Sequence, residues 1–88
     1  MNNARRKMVD DVRAKLGDLA DLIDEIKSMI DNVRDEEQDA YDNLPESFQN
    51  GEKGEKAQAA IDALTEAYDA LDNIDVQEVH GYLDTAAE

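Results

Sequence analysis

The sequence predicts an all-α fold, an antiparallel helical hairpin in which two long helices are joined by a short connector. Two separate runs of apolar residues at helical spacing and a single proline between them support this prediction. We place the first helix at about 4–43, the connector at about 44–54 and the second helix at about 55–87. The 88 residues then make one helical-hairpin domain, 1–88.

The first helix is predicted from apolar residues that recur at alternating steps of three and four. This spacing is a heptad pattern, and it is held for almost four repeats. Its members are Val9, Val12, Leu16, Leu19, Ile23, Ile26, Ile30 and Val33. Met8, Leu22 and Met29 lie beside this line and widen it, which favours a helical bundle over a bare two-stranded coil. Pro45 cannot continue a helix, so the first helix should end just before it.

The second helix is predicted from the repeated phrases "AIDAL" and "AYDAL", which lie seven residues apart. One face carries Ile61, Leu64 and Leu71, together with Ala57 and Tyr68. A straight helix returns later apolar residues to the same face, so one continuous helix is expected. A break at 73–75 is the alternative, because Asn and Asp are weak helix formers. In the antiparallel hairpin, Asp84 and Glu88 should lie beside the basic residues 5–7.

Two further expectations concern packing. Gly17 and Gly81 fall at similar heights in the hairpin, which suggests a close approach of the two backbones there. The apolar stripe of the first helix is also wider than an alanine-rich second helix can cover. We therefore expect either a homodimer that forms an antiparallel four-helix bundle, or burial of this stripe against another protein.

Charge narrows the choice of partners. The net charge is −14, and it is unevenly distributed. Residues 1–16 hold five Lys or Arg and two Asp, a net of +3, while residues 17–88 hold four basic and 21 acidic residues, a net of −17. Such a surface repels nucleic acid and anionic membranes and attracts basic or nucleic-acid-binding proteins. With no signal peptide or membrane span in the sequence, we expect a cytoplasmic protein.

The sequence offers little for catalysis. It has no cysteine, a single histidine (His80) outside any metal-binding motif, and no glycine-rich phosphate loop. Carboxylate pairs such as Asp21 and Glu25 lie off the apolar seam and are typical of a solvated acidic face. We expect no enzymatic activity, no cofactor and no metal site.

Three interpretations of the acidity remain open: solubility, mimicry of nucleic acid by a rod of carboxylates, and an adaptor whose acidic face only stays hydrated. Under mimicry, Asp62, Glu66 and Asp69 are the candidate contact residues. A second candidate site consists of the large side chains at the connector, with Tyr41 at the end of the first helix and Leu44 and Phe48 in the connector itself. These side chains either close the end of the hairpin core or contact a partner.

The segment from Arg34 to Leu71 resembles a recurrent segment of small, acidic, helical proteins encoded by phages and prophages of Gram-positive and gut bacteria. The shared features are a "DEEQ…NLPES.Q" phrase, here ending in "NLPESFQ", followed by an "AID.L..A.D.L" helix. The resemblance implies an accessory protein of a phage or mobile element, acting in the host cytoplasm. It implies no catalytic residues.

Overall fold

The computed structural model describes residues 1–88 and shows an all-α protein without strands. Its helices are α1 (Asn3–Asp42), α2 (Glu46–Gln49), α3 (Glu52–Asp72) and α4 (Val76–Ala87). The predicted all-α helical hairpin is thereby confirmed. None of the helices combines the length and the apolarity that crossing a membrane requires.

The chain folds as two compact units, Met1–Glu25 with Ile74–Glu88, and Ile26–Asn73. In the first unit Arg13 Nη2 lies 2.7 Å from Asp84 Oδ1, and Arg6 Nε donates to the Ala87 carbonyl oxygen at 3.0 Å. Later residues of α1 therefore meet earlier residues of α4, as an antiparallel pair requires. The end of α4 lies beside Arg6, as expected, but the ion pair of Asp84 is with Arg13 and not with residues 5–7.

The second unit shows the same antiparallel order between α1 and α3. Lys27 Nζ lies 2.6 Å from Asp72 Oδ1, and Arg34 Nη1 donates to Thr65 Oγ1 at 3.4 Å. These contacts tie α1 to α3 through long side chains that cross from one helix to the other. The ion pair leaves the Asp72 side chain 60% exposed, so its contribution to stability is modest.

The second helix is not continuous from 55 to 87, as the apolar pattern had suggested. It is two helices, α3 and α4, and α3 already begins at Glu52. Asp75 stops the continuation because its side chain caps the new helix: Oδ1 accepts the backbone N–H of Glu78 at 3.0 Å. This bond satisfies an amide that the first turn of a helix leaves without a partner. The alternative of a break at 73–75 is therefore confirmed.

Asp75→Ala should lower the free energy of unfolding by about 1 kcal/mol, because it removes the N-cap of α4. Urea unfolding followed by circular dichroism measures this change. Gln77→Ala is the control, since Gln77 is an exposed residue of the same helical turn without a capping bond. Equal effects of the two substitutions would contradict the capping role.

Glycine marks a close approach, but not at the predicted positions. A Cβ atom added to Gly17 or Gly81 would meet no other atom within 4 Å, so the proposed backbone contact there is wrong. A Cβ at Gly54 would lie 1.8 Å from the carbonyl oxygen of Gln49 and 2.4 Å from its carbonyl carbon. Gly54 is therefore the residue that lets α2 pack on the first turn of α3.

The apolar core is thin. Four apolar residues are buried, namely Ile23, Ala57, Ile61 and Val76. Twelve large apolar residues are exposed, and seven of these lie on α1 between Met8 and Val33. The first helix thus exposes more large apolar side chains than it buries.

Candidate protein-interaction surfaces

The side of α1 that is buried within the chain forms a regular row, which we call the inner seam. Its residues recur at alternating steps of three and four, and all are buried or half-buried. They are Val9, Arg13, Leu16, Ala20, Ile23, Lys27, Ile30 and Arg34. The inner seam therefore contains three cations among its apolar residues, which the apolar spacing alone does not indicate.

The three cations of the inner seam are engaged by acidic, hydroxyl or aromatic groups. In the first unit, Arg13 bonds Asp10 at 3.2 Å in addition to Asp84. In the second unit, the ring of Tyr68 lies near two cations: Lys27 Nζ is 5.0 Å and Arg34 Cζ 5.6 Å from its centroid. Cations within about 6 Å of an aromatic face are attracted to it. The positive charges in the middle of α1 are thus directed towards the inner side.

A second row on α1, which we call the outer seam, has the same spacing but remains exposed. Its residues are Met8, Val12, Lys15, Leu19, Leu22, Ile26, Met29 and Val33. Seven of the eight are apolar, and their exposed fractions run from 42% at Ile26 to 66% at Met8. Scattered apolar residues on a surface are ordinary, but a continuous row at heptad spacing is typical of a helix that packs against another helix.

The residues predicted for the core or oligomer seam are divided between these two rows and α3. Ile23 and Ile61 are buried, and Leu16, Ile30, Leu64 and Leu71 are half-buried. Leu19, Ile26 and Val33 belong to the outer seam and are 42–51% exposed.

The acidic residues predicted as contact residues on α3 form an exposed face, and no basic side chain of the chain pairs with them. Asp62, Glu66 and Asp69 are exposed, and their spacing places them on one side of the helix. None of the three makes an ion pair within the chain, whose ion pairs involve other carboxylates. From Ala57 to Asp72 the sequence contains no Lys or Arg. We call these three residues the α3 acidic face.

The connector is held in place by hydrogen bonds and by close packing of its backbone. Pro45 precedes α2, and its carbonyl oxygen accepts the Phe48 amide at 2.8 Å. The Gln49 side chain donates to the Tyr41 carbonyl oxygen at 3.1 Å, which joins α2 to the end of α1. Gly54 then brings α3 against the Gln49 backbone. These contacts fix the connector from both sides.

The large side chains at the connector, of which Tyr41 belongs to the last turn of α1, differ in exposure. Tyr41 and Leu44 are half-buried, whereas Phe48 is 47% exposed and carries Lys53 Nζ 5.1 Å from its ring centroid. The three residues therefore do not form one exposed cluster, and only Phe48 presents a large apolar area to solvent. Its closing role and its contact role both remain predictions.

No group of three or more His, Cys, Asp or Glu side chains is arranged to hold a metal ion. The chain presents surfaces suited to association: an exposed apolar row, an acidic helix face and a half-exposed aromatic connector. No protein-family model, curated protein or solved structure matches this chain.

Proposed function

We propose that this chain is a non-enzymatic, phage-type accessory protein that binds a basic macromolecular partner through the α3 acidic face. The partner class is a nucleic-acid-binding host or defence protein, which the chain inhibits by occupying its basic nucleic-acid site. The observation that supports this proposal most strongly is the absence of internal neutralisation at Asp62, Glu66 and Asp69. Unpaired carboxylates in a row are available to an external cation.

The distribution of charge explains why the partner should be basic. Lys27 and Arg34 are the only cations of α1 beyond Lys15, and both are directed inwards to Tyr68 and α3. Carboxylates three or four residues apart on a helix stand roughly 5–6 Å from each other. That separation is similar to the spacing of phosphates along a nucleic-acid strand. A basic groove that binds a strand can therefore bind this row of carboxylates.

The test is reversal of the α3 acidic face in the triple variant Asp62→Lys, Glu66→Lys and Asp69→Lys. Immobilised wild-type protein should retain basic nucleic-acid-binding proteins from a host-cell extract, and a short DNA duplex should displace them. The triple variant should retain at least about tenfold less, because repulsion replaces attraction at the contact. Raising the salt concentration should release the partner, since screening weakens exposed charge pairs.

A matched control is Asp35→Lys, Glu36→Lys and Asp39→Lys, which changes the net charge equally on α1. These three residues are also exposed and make no ion pair within the chain. The control should keep most of the retention. Equal loss in both variants would mean that only total charge matters, and no loss in either would contradict a role for the α3 acidic face.

A second candidate function is a homo-oligomeric structural adaptor without a charge-based target. The outer seam favours it, because an exposed heptad row is suited to helix association and not to recognition of charge. Under this alternative, reversal of the α3 acidic face leaves partner binding and its salt dependence unchanged.

A further inference from the structure

The outer seam is complementary to itself when two copies of α1 run in opposite directions. Pairing about the midpoint between Ala20 and Asp21 sets the outer-seam residues opposite one another in a regular order. The pairs are Met8 with Val33, Val12 with Met29, Lys15 with Ile26, and Leu19 with Leu22. The outer seam has two columns of residues spaced seven apart: Met8, Lys15, Leu22 and Met29, and Val12, Leu19, Ile26 and Val33. Each pair joins a residue of one column to a residue of the other, as in antiparallel coiled coils.

Charge distinguishes this direction from the parallel one. The first 16 residues have a net charge of +3, whereas residues 25–40 hold six acidic and two basic residues, a net of −4. Antiparallel pairing places these two stretches side by side, with the basic stretch of each copy along the acidic stretch of the other. Parallel pairing would set Lys15 against Lys15 and basic end against basic end, which is unfavourable.

The length of the row is sufficient for a stable pair. Residues 8–33 of α1 are helical throughout and comprise nearly four heptads. A two-fold pair uses the same surface on both copies, so each contact between outer-seam residues occurs twice in the dimer. The steps along the row, four and three in alternation, are the same in both directions, so a second copy fits the row without a change of register.

We propose that the outer seam binds a second copy of this chain, forming an antiparallel dimer in which Met8 of one copy faces Val33 of the other. The inner seam closes each hairpin and the outer seam joins two hairpins. Lys15 is the one charged residue in the row, and it lowers the stability of the dimer. The α3 acidic face is on another helix, and the dimer does not depend on the proposed function.

Sedimentation equilibrium at about 0.15 M salt, where long-range repulsion between these acidic chains is weakened, tests the association. The wild type should be dimeric at high micromolar concentration. Lys15→Leu should tighten the dimer more than about tenfold, since it replaces a charge with an apolar side chain at two sites. Lys7→Leu removes the same charge outside the outer seam and should change affinity less than about threefold.

Direction is tested by cross-linking, for which the chain is suited because it contains no native cysteine. Val12→Cys mixed with Met29→Cys should form a disulfide-linked dimer under oxidation. Either variant alone should not, because identical positions stand about 25 Å apart in the antiparallel pair. A wild type that is monomeric at high micromolar concentration, efficient cross-linking of either variant alone, or no cross-linking of the mixture would each overturn the proposal.

Discussion

Gly54→Ala should lower the free energy of unfolding by about 2–3 kcal/mol, the upper part of the range of about 1–3 kcal/mol expected when a methyl group is forced into a packed site. The new Cβ would lie 1.8 Å from the Gln49 carbonyl oxygen and 2.7 Å from the Gln49 Cα. These are backbone atoms, so α2 must move away from α3 to make room. For a domain of this size the melting temperature should fall by roughly 10–20 °C. Thermal unfolding followed by circular dichroism measures it.

The same substitution at Gly17 and Gly81 provides the matched control and should have the opposite sign. Both residues are exposed within helices, and a Cβ at either position meets no atom within 4 Å. Alanine there should raise stability by about 0.5–1 kcal/mol, because glycine is the weaker helix former. If Gly54→Ala were as harmless as these two, the close packing of α2 on α3 would be incorrect.

Ile23→Ala should lower the stability of the isolated hairpin by about 2–4 kcal/mol, because it removes most of a buried side chain from a thin core. Ile26→Ala, a turn further along α1, should leave the hairpin almost unchanged, since Ile26 is 42% exposed and Ile23 only 9%. Denaturant unfolding at low protein concentration, where any dimer is dissociated, makes this comparison.

The two isoleucine variants separate folding from self-association. Sedimentation at high concentration should show Ile26→Ala with a weaker dimer, because its side chain belongs to the outer seam. An equal loss of hairpin stability in both variants would mean that Ile26 is covered within the chain. That result would remove the distinction between the inner and outer seams.

Heptad spacing, together with the single proline, predicted α1 and the antiparallel hairpin correctly. The apolar residues from Val9 to Val33 repeat for long enough that no strand pattern competes, and Pro45 fixes the end of the helix. The predicted span of about 4–43 accordingly differs by a single residue at each end from Asn3–Asp42. The positions of acidic and basic residues were less informative, since the partner of Asp84 is Arg13.

The division of α1 into an inner and an outer seam could not be predicted from the apolar pattern. The stripe is three columns wide, and hydrophobicity does not say which columns face the rest of the chain. The side of α1 that faces the rest of the chain is marked by Arg13, Lys27 and Arg34, whose long side chains reach groups on α4 or α3. Such cations look like ordinary surface residues in a sequence. Only their spacing, in step with Leu16, Ile23 and Ile30, could have drawn attention to them.

The break before α4 and the role of Gly54 illustrate two different limits of prediction from the sequence. Asp75 and Glu78 have the spacing of a capping box, so the N-terminus of α4 was readable from the sequence. The apolar pattern, which continues across the break, obscured it. No sequence pattern marks Gly54 in the same way. A side chain is excluded there only because the Gln49 backbone lies against it in the folded chain. That position is set by the turn after Pro45 and not by any local preference of Gly54.

The two-seam description of α1 is tested most directly by thiol accessibility at neighbouring inner and outer positions. Ile23→Cys and Ile26→Cys each introduce the only thiol of the chain, and their alkylation rates can be measured across a range of protein concentrations. We expect the thiol at position 23 to be protected at every concentration. The thiol at position 26 should react freely in dilute solution and become protected as the concentration rises. Protection of both thiols in dilute solution, or free reaction of position 26 at every concentration, would contradict the two-seam description.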